Sequence, residues 1–496
     1  MLQDSTIARL RDDLLSAAFT LDAVTERLGQ PALAALARNT TRAALDALRN
    51  ADDPQATLIR LWVLGLPVSA TAAARALTCL PDLREAGLIQ PATSDQLAAT
   101  VELKPYGWDT FQGWVCCDQT PLDHAPAVPR DDFVLGGSPA STTLAQLTVR
   151  RPVGSALDLG TGSGIQALHL AEHTERIVST DVNPRALDLA RLTLGLSLEP
   201  GSTHPDLRLG SLYEPVAGDT FDLIVSNPPY VMTPPHDSHL LYRESRFTAD
   251  GLMRAVVTGA PAHLAEGGLL HVVGNWAITA SQPWEDRLAA WIAPTGCDAL
   301  VLRRETLDIY EYVELWLADA GLTASPKFRD TYRRWVSYFD TLGIVAVGMG
   351  WISLRRGGHE TPEVRIEDWP HAVVQPVGPD VGRFFDAIDV SRTTDDSLAA
   401  TRFRLRDDVI QETYGRPGAP DPEHIVLRQT TGLCRAVECD TPLAAVLGAC
   451  DGDLPLGRLV DATASLLDTS PAPLRATVFP RIRDLIFQGF LAPHES

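Results

Sequence analysis

The residues best suited to chemistry in this chain are four that follow an apolar strand, Asn227-Pro228-Pro229-Tyr230. The side-chain carbonyl of Asn227 and the backbone carbonyl of Pro228 can accept the two N–H bonds of an NH₂ group. Prolines bring no competing N–H to such a turn and fix the backbone. Accepting both hydrogens favours a pyramidal, nucleophilic nitrogen and the positive charge that grows on it, while Tyr230 can stack on a planar amide or base. The segment therefore predicts chemistry at the nitrogen of an amide or of an exocyclic amino group.

A glycine-rich turn marks a second place for chemistry. Gly160, Gly162 and Gly164 follow the apolar run 155–159 and precede a helix. Glycines permit φ > 0 and let a ligand approach the backbone, and the start of a helix favours polar or anionic groups. The spacing G-x-G-x-G differs from the G-x-G-x-x-G of dinucleotide-binding turns, so we favour another ligand over NAD.

An acidic residue stands at a third strand end. Asp181 closes the predicted strand 177–181, roughly 20 residues beyond the glycines, where a carboxylate can hold two ribose hydroxyls. The competing role is a helix N-cap ahead of Asn183-Pro184. Because ligands lie outside the carboxyl ends of the strands in an open parallel sheet, the glycine turn, Asp181 and Asn227 should face one pocket.

Taken together, these motifs resemble those of class I S-adenosylmethionine-dependent methyltransferases. More narrowly they are similar to HemK/PrmC-type protein glutamine methyltransferases and to N6-adenine-type base methyltransferases, over roughly residues 134–355. Asp250-Gly251-Leu252 also stands where HemK-like proteins place the same residues. The resemblance implies an α/β, Rossmann-like fold with a seven-stranded sheet, and S-adenosylmethionine as the cofactor.

The resemblance also assigns roles to individual residues. Asn227, Pro228, Pro229 and Tyr230 are expected to hold the acceptor nitrogen. The cofactor is expected to contact Asp158, Gly160, Thr161, Gly162, Gly164, Asp181, Val182, Ser211, Leu212 and Asn227. No metal site is predicted.

Three of these expectations leave alternatives open. Asp158 either binds the amino group of the cofactor or braces the glycine turn. Ser211 stands where many relatives have an acidic residue that binds the adenine amino group, so a hydroxyl or a backbone carbonyl would have to serve here. The loop at 134–144 either closes over the methionine end of the cofactor or is a plain helix cap, since the Arg-Pro-Glu-type residues of HemK-like enzymes are missing.

Alternating apolar strands and helices must position these groups, as in a doubly wound sheet. The polar stretch between Tyr230 and Thr248 is predicted to be a loop over the acceptor. Two helices, 308–320 and 328–341, are predicted between the last two strands. The strands are predicted at 155–159, 177–181, 206–210, 221–226, 268–274, 298–303 and 344–354.

The length predicts about three domains. We place an N-terminal domain at 1–120, the methyltransferase domain at 131–357 and a C-terminal domain at 362–496, with a proline-rich linker at 121–130. The N-terminal domain is either winged-helix-like or a plain helical cap. The C-terminal domain ends in three predicted helices that resemble a winged helix, with Arg475, Arg481 and Arg483 on the last one. These arginines either face nucleic acid or are ordinary solvated residues.

Composition limits the remaining possibilities. The formal charge is −21, which argues mildly against a protein that binds nucleic acid mainly through phosphate contacts. It does not exclude a local basic groove. No apolar run is long enough for a membrane span, the start of the chain lacks a signal-peptide layout, and seven cysteines are dispersed. We therefore predict a cytoplasmic protein without membrane association.

The acceptor is expected to be a macromolecule, since small-molecule enzymes rarely need two accessory domains. A protein glutamine is the first hypothesis, and an RNA or DNA base, at adenine N6 or guanine N2, is the alternative. A third hypothesis is a catalytically inactive scaffold that only binds S-adenosylmethionine. The oligomeric state is not predicted.

Overall fold

The computed structural model shows a central α/β sheet flanked by smaller N- and C-terminal parts. It describes residues 2–108, 110–120, 122–123, 130–199, 202–235, 243, 247–323, 325–418 and 422–494.

The N-terminal part combines six helices with five short strands. They are α1 Asp4–Ser16, α2 Leu21–Leu36 (kinked at Gly29), α3 Arg42–Ala47, α4 Pro54–Leu58, β1 Val68–Ser69, α5 Ala70–Ala76, α6 Leu80–Glu85, β2 Ile89–Pro91, β3 Gln96–Ala99, β4 Val101–Trp108 and β5 Phe111–Asp118. Strand β3 pairs antiparallel with both β1 and β2, and β4 and β5 form a separate hairpin. The order helix, strand, two helices, hairpin is the one that a winged helix has, and that assignment stays a prediction.

The central part contains the strands and helices that carry the motifs. They are α7 Pro139–Leu147, β6 Val153–Leu159, α8 Ile165–Leu170, β7 Thr174–Asp181, α9 Pro184–Ser197, β8 Asp206–Leu209, β9 Phe221–Ser226, α10 Gly251–Gly259, β10 Leu264–Thr279, α11 Trp284–Ile292, β11 Asp298–Asp308, α12 Ile309–Asp319, α13 Phe328–Thr341 and β12 Ile344–Arg355.

The C-terminal part begins with an edge strand and a long helix. Its elements are β13 Val364–Asp368, α14 Gly378–Ser391, α15 Asp395–Ala400, β14 Arg402–Leu405, β15 Val409–Tyr414, β16 His424–Gln429, β17 Ala436–Cys439, α16 Thr441–Gly448, β18 Asp451–Pro455, α17 Leu456–Leu466, α18 Pro471–Phe487 and β19 Leu491–Pro493.

The central sheet confirms the predicted Rossmann-like α/β fold. Its strand order is β13-β11-β12-β10-β9-β6-β7-β8. Neighbours from β10 to β8 are parallel, and β12 runs antiparallel between β10 and β11. All seven predicted strands are present. The inner strands are apolar runs that the sheet buries on both faces, as at Leu157 and Ile224, both fully buried, whereas the edge strand β8 (Asp206–Leu209) is exposed or only partly buried.

The sheet extends beyond the predicted domain limit at residue 357. Strand β13 adds an eighth strand, parallel to β11. Helix α14 buries Val381 and Phe384 in the same apolar cluster as Leu147 and Trp351 of the central part. The first elements of the C-terminal part therefore complete the core of the central sheet, while the three-part division of the chain stays a prediction.

The N-terminal part shares a core with helix α9. Leu189, Leu192 and Leu196 of this helix lie in one apolar cluster with Leu10 and Trp62. Hairpin β4–β5 lies along the same helix, where Trp114 N donates to Ser197 Oγ at 2.8 Å and Cys116 N to Thr193 Oγ1 at 2.9 Å. The N-terminal part is thus packed directly on the helix that follows Asp181.

Helix α18 uses its arginines within the fold. The three predicted C-terminal helices are present as α16, α17 and α18. The arginines of α18 make the ion pairs Arg475–Asp461 (2.6 Å), Arg481–Asp440 (3.5 Å) and Arg483–Asp395 (2.8 Å). The structure therefore favours ordinary surface residues over a nucleic-acid-reading helix.

None of the helices formed by the described residues combines the length and the apolar character that spanning a membrane requires.

Candidate active site

Three neighbouring strands end side by side and bring the predicted motifs together. Leu159 of β6 pairs with Thr180 of β7 on one side and with Ser226 of β9 on the other. The next residues along the three strands are Gly160, Asp181 and Asn227. Adjacent strands lie about 4.8 Å apart, so these three positions share one edge of the sheet. Ser226 Oγ donates to the Leu159 carbonyl at 2.8 Å and holds the two tips together.

Asp181 connects the glycine turn to helix α9. Its Oδ2 accepts from Gly162 N and its Oδ1 from Asn183 N, each at 2.9 Å. Burial raises the pKa of this carboxyl group, and the hydrogen bonds from the backbone N–H of Asn183 and Gly162 oppose that shift. Each carboxylate oxygen keeps a further lone pair, so two hydroxyl groups of a ribose can still donate to it.

The glycine turn leaves room for a ligand at the edge of the sheet. Gly160 and Gly162 have φ of 81° and 55°, and a Cβ built on either would meet no atom within 4 Å. Gly160 N and Thr161 N both donate to the Thr180 carbonyl at 2.9 Å, which fixes the turn against β7. The backbone of the turn is therefore positioned and open on its outer side.

These strand ends line a single cavity of about 510 Å³. This volume falls in the usual range for sites that bury a nucleotide-sized ligand. The predicted site residues along its wall are Gly160, Thr161, Gly162, Asp181, Val182, Ser211, Leu212, Asn227, Pro228 and Pro229. Ten of the thirteen predicted residues thus lie together around one space, while Asp158, Gly164 and Tyr230 are outside its lining.

Asp158 lies directly behind the glycine turn. Thr161 Oγ1 donates to its Oδ2 at 2.6 Å, while its buried Oδ1 has no hydrogen-bond partner among the described residues. Burial raises the pKa of Asp158 to about 7, the Thr161 hydroxyl opposes the shift, and the charge of Asp181 adds to it. Asp158 braces the turn through Thr161, while its own side chain is buried outside the lining of the cavity.

Asp158 makes a testable contribution to stability. Its pKa in the folded chain lies above the ordinary 3.8, so the folded state retains a proton that the unfolded state has lost. Stability therefore falls as the pH rises between these two values. Asp158→Asn should remove this loss and exceed the wild type by up to about 4 kcal/mol near pH 8, and by less near pH 5. Urea unfolding at both pH values measures the difference in unfolding free energy between Asp158→Asn and the wild type. An equal difference at both pH values would contradict a raised pKa of Asp158.

Gly164 and Tyr230 have structural surroundings. Gly164 has φ of 87° at the start of α8, and a Cβ there would approach Ala190 of α9 to 3.3 Å. The ring of Tyr230 packs edge-on against Trp316 of α12 with centroids 6.4 Å apart, and burial raises the pKa of its hydroxyl. The aromatic residues among the described residues of the cavity wall are instead Phe133 and Phe247.

The segment after Tyr230 is held by a buried tyrosine. Tyr312 Oη accepts from Met232 N at 2.9 Å and from Asn275 Nδ2 at 3.0 Å, and Tyr312 and Asn275 are fully buried. Val231 N donates to the carbonyl of Arg243 at 2.7 Å. These bonds fix the backbone immediately beyond Asn227-Pro228-Pro229-Tyr230.

Tyr312→Phe tests this anchoring. The substitution leaves two buried donors without an acceptor, which should destabilise the fold by about 1–3 kcal/mol. Methyl transfer should also slow by about 10-fold with cofactor affinity unchanged, because only the acceptor side is displaced. Tyr213→Phe is the matched control, since the buried Tyr213 Oη donates to the Val256 carbonyl at 2.8 Å. Equal slowing in both variants would mean that Tyr312 has no special role.

Asp250, the first residue of the Asp-Gly-Leu segment, has a structural place. Asp250 is buried, pairs with Arg287 and accepts from Ala277 N at 2.8 Å, so it ties α10 to β10 and α11.

Of the loop predicted between Tyr230 and Thr248, residues 236–242 and 244–246 lie outside the described part of the chain.

Some cavity residues were not predicted individually. Asn183 follows Asp181, and its Nδ2 donates to the Asp132 carbonyl at 2.9 Å. Gln166 donates to the Ser141 carbonyl at 2.8 Å and attaches α7 to α8, so the predicted loop at 134–144 is helical from Pro139 onward. The other unpredicted lining residues include Phe133, Val134, Leu135, Gly136, Ser138, Phe247, Leu252 and Val256. For the lining residues between 134 and 144, the only indication in the sequence was the prediction that this segment could close over the cofactor.

Comparison with known proteins gives three family matches. Residues 138–290 match the family described as Methyltransferase small domain, which covers the strand ends of the cavity. Residues 16–100 match Domain of unknown function (DUF7059), and residues 383–493 match Domain of unknown function (DUF7782).

Curated relatives resemble the central part only. The chain is 40% identical over 131 residues to a release factor glutamine methyltransferase of Xylella fastidiosa, covering 24% of this chain and 46% of that protein. It is 31% identical over 170 residues to ribosomal RNA small subunit methyltransferase C of Klebsiella pneumoniae, covering 34% and 44%. The chain thus spans less than half the length of these relatives. A solved methyltransferase from Pyrococcus furiosus is 15% identical with a TM-score of 0.28, covering 45% of this chain and 85% of its own, a likeness too weak to support an argument.

Proposed function

We propose that the chain transfers a methyl group from S-adenosylmethionine to a planar nitrogen of a macromolecule. The proposal starts from the match of residues 138–290 to the methyltransferase small domain and from the class I fold. The observation that supports it most is the shared cavity of Gly160, Asp181 and Asn227. In this proposal the carboxylate of Asp181 and the open glycine turn bind the cofactor. The side-chain carbonyl of Asn227 binds the acceptor in the same cavity. The cytoplasmic location predicted from the sequence is part of this proposal.

The cofactor fits the groups present. Asp181 would hold the ribose hydroxyls, Ser211 and Leu212 would line the adenine end, and the outer side of Gly160 and Gly162 would accept the methionine part. Asp158 is buried outside the lining of the cavity and would act through Thr161, whose hydroxyl it holds within the glycine turn. When bound, the cofactor supplies an electrophilic methyl group on a sulfonium.

The chain itself prepares the acceptor. The side-chain carbonyl of Asn227 and the backbone carbonyl of Pro228 accept the two N–H bonds of the acceptor and orient its lone pair toward the cavity. These acceptors also stabilise the positive charge that develops on nitrogen. No separate general base is required, since the proton can leave to water after transfer. Ser226, bonded to Leu159, holds this acceptor pair at a fixed place beside the glycine turn.

A protein glutamine is the first candidate acceptor. The relative with 40% identity is named a release factor glutamine methyltransferase, and the formal charge of −21 disfavours polyanions over the molecule as a whole. An RNA base is the second candidate, favoured by the relative named for ribosomal RNA. An inactive scaffold is the least favoured hypothesis because Asn227 and Asp181 are both present and placed at the cavity wall.

The test is transfer of labelled methyl from S-adenosylmethionine into a fractionated cell lysate, followed by protease or nuclease digestion. Label that only protease releases supports a glutamine acceptor, and mass spectrometry then locates the residue. Label that only nuclease releases moves the assignment to a base methyltransferase. If no protein or nucleic acid in the lysate becomes labelled although the cofactor binds, macromolecular N-methylation is contradicted.

A further inference from the structure

Helix α13 carries a basic surface in an otherwise acidic chain. Residues 327–334 include four cationic side chains and one acidic side chain, although the formal charge of the chain is −21. Lys327, Arg329 and Arg333 are exposed, and none of them forms an ion pair with any residue in the described part of the chain. These three residues are called the α13 cation face below.

Many arginines elsewhere in the described chain are paired with an acidic residue. Those of α18 each reach an aspartate, and Arg185 and Arg287 are paired with Asp118 and Asp250. A paired guanidinium has its charge neutralised locally, whereas an exposed unpaired one remains available to an incoming anion. The α13 cation face is therefore available to an anion, as are the exposed Arg38 and Arg42 of the N-terminal part, which also form no ion pair within the described part of the chain.

The opposite face of the same helix packs toward the acceptor motif. Trp335 and Phe339 are buried in one apolar cluster with Val231 and Met232, the two residues after Tyr230. A helix is about 10 Å across, so the cation face lies roughly one helix diameter beyond that cluster.

A second contact connects α13 to the cavity. Tyr338 Oη accepts from Ala249 N at 3.0 Å, and Ala249 lies two residues after Phe247 of the cavity wall. Arg333 precedes Tyr338 by little more than one helical turn. Helix α13, which carries the cations, thus contacts the chain on both sides of residues 236–246.

Exposed aromatic rings accompany the cations. Phe247 is 42% exposed and Tyr310, at the start of α12, is 58% exposed. Guanidinium groups bind phosphates in a fixed fork geometry, and aromatic faces stack on unpaired bases. An acidic peptide would engage the cations but offers no planar groups for these rings. The combination fits a single-stranded polynucleotide better than an acidic protein.

We propose that the α13 cation face binds the phosphate backbone of single-stranded RNA and presents it next to the Asn227 site. The choice of RNA over DNA rests on the second candidate of the proposed function, an RNA acceptor, through the relative named for ribosomal RNA. The surface contact itself is independent of which nitrogen is methylated.

The test is binding of a fluorescein-labelled, unstructured RNA of about 20 nucleotides to the full chain, followed by anisotropy at several salt concentrations. Arg329→Gln combined with Arg333→Gln should weaken binding on the order of 10-fold. It should also lower the slope of log affinity against log salt by about 1.4, since each single-strand phosphate contact contributes about 0.7. Both positions are exposed on a helix that tolerates glutamine, and unchanged S-adenosylmethionine binding verifies the fold.

Arg38→Gln combined with Arg42→Gln is the matched control. These arginines are exposed, have the same spacing in the sequence and lie in the N-terminal part. The control should bind RNA as the wild type does. The proposal is overturned if the wild type binds no RNA, if the α13 double variant keeps the wild-type slope, or if the control loses as much. It is also overturned if a polyglutamate peptide or single-stranded DNA competes better than unlabelled RNA. None of these readouts needs methyl transfer, so failure of the proposed function would be seen separately.

Discussion

Asn227→Ala should lower the rate of methyl transfer by about 10²- to 10³-fold while S-adenosylmethionine still binds. The side-chain carbonyl of Asn227 is one of only two groups proposed to accept the N–H bonds of the acceptor. Without it, the lone pair of an amide or amino nitrogen stays delocalised and the growing positive charge has one acceptor fewer. Single-turnover transfer of labelled methyl, with cofactor affinity from calorimetry, separates the two effects.

A conservative variant makes this prediction sharper. Asn227→Asp keeps a side-chain oxygen at the same position and should retain more activity than Asn227→Ala. If the alanine variant transfers methyl at the wild-type rate, Asn227 does not hold the acceptor. If it loses cofactor binding instead, the residue serves the cofactor side of the cavity.

Asp181→Ala should weaken S-adenosylmethionine binding by about 10²- to 10⁴-fold. The variant would lose the two charge-assisted hydrogen bonds proposed for the ribose hydroxyls, each worth about 1.5–3 kcal/mol. It also removes the acceptor of Gly162 N and Asn183 N, so the glycine turn is held less firmly. Titration calorimetry with S-adenosylmethionine measures the change.

Asp222→Ala is the matched control for Asp181. Asp222 also uses a carboxylate oxygen to accept from a backbone N–H, that of Ser155 at 2.9 Å, but it lies at the amino end of β9. Its loss should reduce stability and leave cofactor affinity unchanged. Equal weakening of cofactor binding in both variants would show that Asp181 acts only through stability.

The strands of the sheet were predictable because burial on both faces requires continuous apolar runs. Leu223-Ile224-Val225 is such a run, and the polar residues that end it can only lie at the strand tip. Since parallel strands end at one edge, the meeting of Gly160, Asp181 and Asn227 followed from the order of elements. The structure confirms that arrangement through the pairing of Leu159 with Thr180 and Ser226.

The extension of the sheet was not predictable in the same way. Strand β13, Val364–Asp368, alternates apolar and charged residues and is only partly buried, so its sequence gives no strong strand signal. Its formation depends on pairing with β11, from which it is separated by two helices and β12. Long-range pairing of this kind leaves little trace in local sequence.

The direction of individual side chains was also beyond local sequence. The ring of Tyr230 turns toward Trp316, which lies on a distant helix, and Phe247 reaches the cavity instead. Likewise, the arginines of α18 pair with Asp395, Asp440 and Asp461, and only the folded arrangement identifies those partners. Residue type predicted which groups could act, while tertiary contacts decided which of them face the cavity.

The shared core of the N-terminal part and helix α9 has a thermodynamic consequence. Val134 lies both in that core and on the cavity wall, and Asp118 of β5 accepts from Val134 N at 2.9 Å while pairing with Arg185 of α9. Part of the cavity proposed for the cofactor is therefore held in place by contacts with the N-terminal part. By linkage, a ligand that binds this site must raise the unfolding free energy of residues far from it. The N-terminal part should then become resistant to proteolysis in proportion to cofactor occupancy, as one cooperative unit with the nucleotide site.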